Sequence, residues 1–144
     1  MRILVGTDGS DAGNRAVELA AQLAKANTAD LKVLHVISPQ NLPMDQLKDY
    51  ALWEHMTLGE VLNTFAEEKL LEAKKQAEKL GVAGVKTQCP YGDIAETIIE
   101  TAKNDQADMI VVGKRGRGRL SGLVLGSVSQ KVVSVAPCPV VVVP

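Results

Sequence analysis

A chain of 144 residues fits one ordinary domain, 1–144, and leaves little room for a second. Hydrophobic residues at 46% and charged residues at 23% are globular proportions, and an aromatic content of 3% leaves the core to Val, Ile, Leu and Ala. The net charge of −1 argues against a general nucleic-acid binder, and no apolar run reaches the ~18 residues of a membrane helix.

Arg2–Thr7 (RILVGT) is a short β-branched run that ends in Gly and Asp, the pattern of a buried strand. The polar turn comes too early for a signal peptide, so a cytoplasmic protein without a membrane partner is expected. Ser10 is placed to cap a helix from Asp11 to about Ala26, with Ala16, Leu19, Ala20, Leu23 and Ala24 on its inward face. Leu31–Ile37 (LKVLHVI) reads as a second strand, which completes a βαβ unit. His35 within it reads as a core histidine rather than a ligand.

The periodicity weakens between Ser38 and Met56, where Pro39 and Pro43 prevent a clean helix start. This stretch is expected to be a long, partly helical excursion. Its Tyr50, Trp53 and Met56 either pack over the sheet or meet a partner. Asp45, Asp49, Glu54 and Glu60 read as solvated charges, and His55 has no partner at metal-ligand spacing. Thr57 or a neighbour then opens a helix running to about Leu80, with Leu62, Phe65, Ala66, Leu70, Ala73 and Ala77 inward and Gly81 as its stop.

A third strand is predicted over Gly84–Cys89 and a third long helix over Asp93–Lys103, with Ile94, Ala95, Ile98 and Ile99 inward. Asp108–Gly113 (DMIVVG) is a fourth strand, Ser127–Ala136 a short helix, and Pro139–Val143 a last strand. Alternation of this kind predicts an α/β fold, a Rossmann-like open sheet of mainly parallel strands with helices on both faces. Cys89 and Cys138 sit in no CxxC or metal-ligand spacing; in a chain without an export signal they are expected to stay unbonded.

Ligands of such sheets bind beyond the C-terminal ends of the strands. Two ends are chemically marked: Thr7-Asp8-Gly9, and Gly113-Lys114-Arg115-Gly116, which opens a loop to Gly126. Glycines let backbone approach a ligand, and the amides of Ser127, Val128 and Ser129 at a helix start would form an anion site. The hydroxyls of Ser127 and Ser129 could add hydrogen bonds to phosphate oxygens. Asp8 could equally cap its own turn, and Lys114, Arg115, Arg117 and Arg119 could be a solvated loop instead of phosphate ligands. No GxxxxGK[ST] is present, and Gly116-Arg-Gly118-Arg-Leu-Ser-Gly122 is one residue too long for the dinucleotide fingerprint.

The spacing Gly, two residues, Gly, nine residues, Gly, Ser is filled here by Gly113, Gly116, Gly126 and Ser127. On that pattern the chain resembles the universal stress proteins, in their ATP-binding branch. The opening Ile3-Leu4-Val5-Gly6-Thr7-Asp8-Gly9-Ser10, Gly92-Asp93-Ile94-Ala95 and Pro137-Cys138-Pro139-Val140 add to the likeness, which covers nearly the whole chain except 38–56. Gly6 stands where that family usually has Pro.

The resemblance implies five strands in the order 3-2-1-4-5 and a homodimer built on Val140–Val143. It implies ATP as ligand, with or without Mg2+, and no downstream protein partner that the sequence can name. Thr7, Asp8 and the first strand's end would face adenine and ribose, and Val36 would offer backbone to the adenine. Gly113, Gly116, Gly126, Ser127, Val128 and Ser129, with Lys114 and Arg115 beside them, would hold ribose and phosphates. The function implied is a nucleotide-dependent stress-response or signalling module with at most slow hydrolysis. The alternatives are a true ATPase or nucleotidyl-transfer enzyme using 38–56 as a lid, or an interaction protein that no longer binds nucleotide.

Overall fold

The computed structural model describes residues 1–40, 42–48, 55–116 and 124–144. Five strands form one sheet: β1 (Arg2–Gly6), β2 (Asp30–Leu34), β3 (Lys86–Gln88), β4 (Met109–Gly113) and β5 (Val140–Val143). They lie in the order β3-β2-β1-β4-β5, and every pairing is parallel. Five helices connect them: α1 (Asp11–Asn27), α2 (Met44–Leu47), α3 (Leu58–Lys79), α4 (Ile94–Asn104) and α5 (Ser127–Val135). The open parallel α/β sheet and its 3-2-1-4-5 order are those expected.

Strand alternation divides the core. Ile3, Val5, Val33 and Val111 point to one face, where α1 and α3 bring Ala16, Val17, Ala20, Leu70 and Ala73. Leu4, Leu34, Ile110 and Val112 point to the other, against Ala95, Ile98 and Ala102 of α4 and Val132 of α5. Each such Val, Leu or Ile contributes about 1.5–3 kcal/mol by leaving water. A third cluster of Ile37, Leu47, Val61, Leu62, Phe65 and Ala66 fastens α2 onto the start of α3.

Three expectations are corrected. β2 stops at Leu34 rather than Ile37 because β1 turns away at Thr7. Beyond that level only the β3 side still supplies partners, through His35 N–H to Gln88 O and Ile37 N–H to Pro90 O. β3 is only Lys86–Gln88, bounded by Gly84 at φ 67° and by Pro90. The buried stripe of α1 runs through Val17 and Ala21, while Leu19 and Leu23 are half-buried at its edge.

Thr57 caps α3 in a reciprocal box: its hydroxyl accepts from Glu60 N–H, and the Glu60 carboxylate accepts from Thr57 N–H. Glu60 is therefore a cap, not a bare solvated charge. The excursion contains the short α2, starting at Pro43; Met56 packs against the third cluster, and His55 is exposed. Tyr50, Trp53, Asp49 and Glu54 lie outside the described residues, as do Arg117, Arg119, Gly118 and Gly122 of the glycine-rich loop, and Asp45 is described only in its backbone. The two edges of the sheet differ: β3 presents exposed Lys86, Thr87 and Gln88, and β5 presents a run of valines.

Candidate functional site

The chain leaves β1 through a turn that is hydrogen-bonded within itself. Gly9, at φ 78°, donates its N–H to the Thr7 hydroxyl, and Ser10 N–H donates to Asp8 Oδ1 at 2.9 Å. The Ser10 hydroxyl then accepts from Gly13 N–H and starts α1. Gly13 has to be glycine, because a Cβ there would lie 2.7 Å from Thr7 Oγ1 and 2.9 Å from Asp8 Oδ1. Asp8 thus caps its turn with one oxygen. Its other oxygen, Oδ2, lies 2.6 Å from the position of a Cβ on Gly116.

The end of β4 meets the start of α1 equally closely. A Cβ on Gly113 would stand 3.0 Å from the carbonyl carbon of Ala12. The next residue holds both feet of the glycine-rich loop: Lys114 O accepts from Gly126 N–H and from the Ser129 hydroxyl, each at 2.8 Å. Two donors on one carbonyl use both its lone pairs. The expectation that the Ser129 hydroxyl serves a phosphate is therefore corrected: it is buried and committed to Lys114 O, with Gly126 O at 3.1 Å.

Gly126 is the N-cap residue of α5, and no side chain caps that helix. Its first turn carries no acidic residue. The N–H groups of Ser127, Val128 and Ser129 are thus first-turn amides at the positive end of a helix dipole.

Between these strand ends lies a cavity of about 270 Å³. Part of its lining is polar, with Thr7, Asp8, Lys114, Arg115 and Ser127 and the glycines at 113, 116 and 126. Part is apolar, with Leu34, Val36, Ile94, Ile98 and Val112. The structure brings together the described residues that the resemblance implies for the site: Thr7, Asp8, Val36, Gly113, Lys114, Arg115, Gly116, Gly126, Ser127, Val128 and Ser129 all line this cavity. The volume is close to the lower end of the ~300–1,000 Å³ of small-molecule pockets.

Val36 lines the cavity, and its side chain belongs to the buried cluster of Leu34, Ile98 and Val112. Among the described residues, no hydrogen bond takes its N–H or its C=O. The neighbouring His35 is 4% exposed, lies edge-on to Phe65 at 6.1 Å, and bonds Thr7 O through Nδ1 at 3.0 Å. It is the satisfied core histidine expected.

The sequence reading missed Gly13 and the apolar lining. Ile94 and Ile98 had been assigned only to the core, although their place at the end of α4 nearest the strand tips was a usable signal. Gly13 had none, because its role is a contact across the turn. Away from the cavity, Lys131 of α5 bonds Glu96 of α4 at 2.9 Å, which raises the lysine pKa. Burial raises the thiol pKa of Cys89 and of Cys138, and the two are unbonded to each other. Among the described residues no three His, Cys, Asp or Glu gather as a metal site, and no helix is long and apolar enough to cross a membrane.

Sheet order, loop and cavity can be set beside known proteins. A universal stress protein of Thermus aquaticus is 39% identical over 146 aligned positions, covering 98% of this chain and 96% of that one. The structure of universal stress protein UspA from Lactobacillus plantarum superposes with a TM-score of 0.82 at 28% identity, over 100% of this chain and 97% of that chain. A universal stress protein solved in complex with cAMP gives 0.73 at 28% identity, over 100% and 96%. The family model described as "Universal stress protein family" matches residues 1–144, end to end, and with it the chain belongs to the universal stress proteins.

Proposed function

We propose that the cavity binds an adenine nucleotide, with ATP as the ligand, and that binding rather than turnover is the protein's task. The observation that carries this is the meeting of two unlike sets of residues in the lining of one cavity. The uncapped start of α5, with Lys114 and Arg115, suits phosphates, while Val36 and the apolar lining suit a base. The cAMP complex of a relative at 28% identity supports an adenine nucleotide as the ligand class. Asp8 and Thr7 line the same cavity and, on this reading, would meet the ribose that joins base to phosphate.

The chain's residues fit ATP in a second respect: Gly113, Gly116 and Gly126 keep the floor free of Cβ atoms. Mg2+ enters on this reading only with the nucleotide, and would find Asp8 as the one carboxylate among the described lining residues. Phosphoryl transfer needs a metal clamp, a positioned nucleophile and charge stabilisation. The cavity supplies the last of these. Bound nucleotide then acts as a switch, stabilising one form of the protein by mass action in a cytoplasmic stress response.

The assembly completing this reading is a homodimer through β5. The carbonyls of Pro139 and Val143 accept from Ile110 and Lys114, so the peptide of Val141 also faces β4. By alternation those of Val140 and Val142 face outward, ready to pair with a second copy.

Denaturing the purified protein and weighing what it releases tests the ligand. Adenine nucleotide in near-stoichiometric amount, or calorimetric binding of added ATP, is expected. A protein that neither carries nucleotide nor binds ATP overturns the reading.

A further inference from the structure

We propose that His35 is a positioning residue for base recognition: it occupies the Thr7 carbonyl so that the peptide of Val36 is left to read the base. The inference rests on the nucleotide reading above and asks what selects the base.

The argument begins with the ladder between β1 and β2. Thr7 N–H donates to Leu34 O, the last backbone bond between the two strands. Continuing a parallel ladder would next join Val36 N–H to Thr7 O. That bond is absent, and the Thr7 carbonyl instead accepts from the imidazole of His35 at 3.0 Å. A carbonyl can only accept, so the proton is on Nδ1.

His35 N–H and Ile37 N–H both bond the β3 side, to Gln88 O and Pro90 O. The intervening N–H and C=O of Val36 therefore point the other way, past the end of β1 and into the cavity. Both are unbonded among the described residues. An N–H and a C=O of one residue, side by side, complement adenine, whose N1 accepts and whose 6-amino group donates. They oppose guanine, whose N1–H donates and whose O6 accepts.

His35 is well placed to hold this arrangement. Phe65 lies edge-on to its ring, and Lys69 Nζ sits over the Phe65 ring, 5.5 Å from its centroid. Without the imidazole donor, Thr7 O would be a buried acceptor in need of a proton, and Val36 N–H is the nearest ladder partner. Base selection would then lose a donor while the polar lining stayed intact.

The test compares Kd for ATP and GTP by calorimetry in the wild type, His35→Leu and His35→Asn. Asn can present an amide N–H where Nδ1 stands. Wild type is expected to favour ATP; His35→Leu should reduce the ATP-to-GTP preference by roughly 3- to 10-fold, the worth of one hydrogen bond. His35→Asn should restore most of it. Equal weakening of ATP and GTP in His35→Leu, with the preference unchanged, assigns His35 a purely structural role and overturns the proposal. Wild type that binds neither nucleotide fails the ligand reading itself, and this inference with it.

Should His35→Leu not fold, the wild type still decides. Nitrogen-resolved NMR of the His35 ring must show the proton on Nδ1, and the Val36 amide must shift on adding ATP more than on adding tripolyphosphate. A proton on Nε2 alone, or a Val36 amide indifferent to the base, overturns the proposal.

Discussion

Asp8 and Gly116, far apart in sequence, are so close that a Cβ on Gly116 would lie 2.6 Å from Asp8 Oδ2. Two loops meet here without an atom between them, and the smallest added group tests that fit. Gly116→Ala is expected to cost about 1–2 kcal/mol of stability by overpacking. The cost should largely vanish when Asp8 is already Ala. Denaturant melts of the two single variants and the double variant measure this coupling. Additive costs would mean that the two residues do not press on each other.

Gly126 does not need its glycine for backbone conformation, since its φ is −71°. A Cβ there would stand 3.3 Å from Lys114 O and 3.5 Å from Arg115 Cα. Gly126→Val should therefore open the loop's foot at the Lys114 carbonyl and weaken ATP binding more than ~10-fold, equivalent to ~1.4 kcal/mol. The sheet should persist, as circular dichroism can verify. Wild-type affinity in the folded variant would remove the α5 start from the site.

Turnover follows from what faces the cavity. Asp8 is the one carboxylate in the described lining, and its Oδ1 is held by Ser10 N–H. Steady-state hydrolysis of ATP by the wild type is expected below ~1 s⁻¹, under the ~1–10³ s⁻¹ of ordinary enzymes. A faster rate, measured as phosphate release, would require a catalytic group not among those described.

Assembly is tested where the backbone allows a clean experiment. Val141→Pro would remove a bond to β4 and confuse dimer loss with unfolding. Val142→Pro removes an outward N–H, the place where an edge strand tolerates proline. Sedimentation should show a dimer for the wild type and a folded monomer for Val142→Pro. A dimeric variant, or a wild type monomeric at micromolar concentration, would move the interface elsewhere.

The parts of the fold legible in the sequence were those set by repeating patterns. The apolar runs of β1 and β4 and the inward stripe of α3 recur at fixed spacing, and the structure keeps them. Features that depend on a neighbour were not legible. Whether β2 ends at Leu34 or Ile37 depends on where β1 turns, and whether Val17 or Leu19 is centred depends on how α1 lies on the sheet. The same divide runs through the site. The glycine spacing announced the loop, but nothing local tells that the Ser129 hydroxyl bonds Lys114 O, or that Gly13 lies against Thr7.

The unlike edges of the sheet bear on how far association can go. If β5 is the dimer edge proposed above, a valine edge on one side and a Lys-Thr-Gln edge on the other would give each copy a single adhesive border. Two copies joined by that border across a two-fold axis would have both outer margins polar, leaving nothing for a third to extend. Had β3 carried valines as well, the same pairing rule would run on without end, as a fibre does. On that pairing, polar residues at one rim would be enough to turn an open-ended sheet into a finite object.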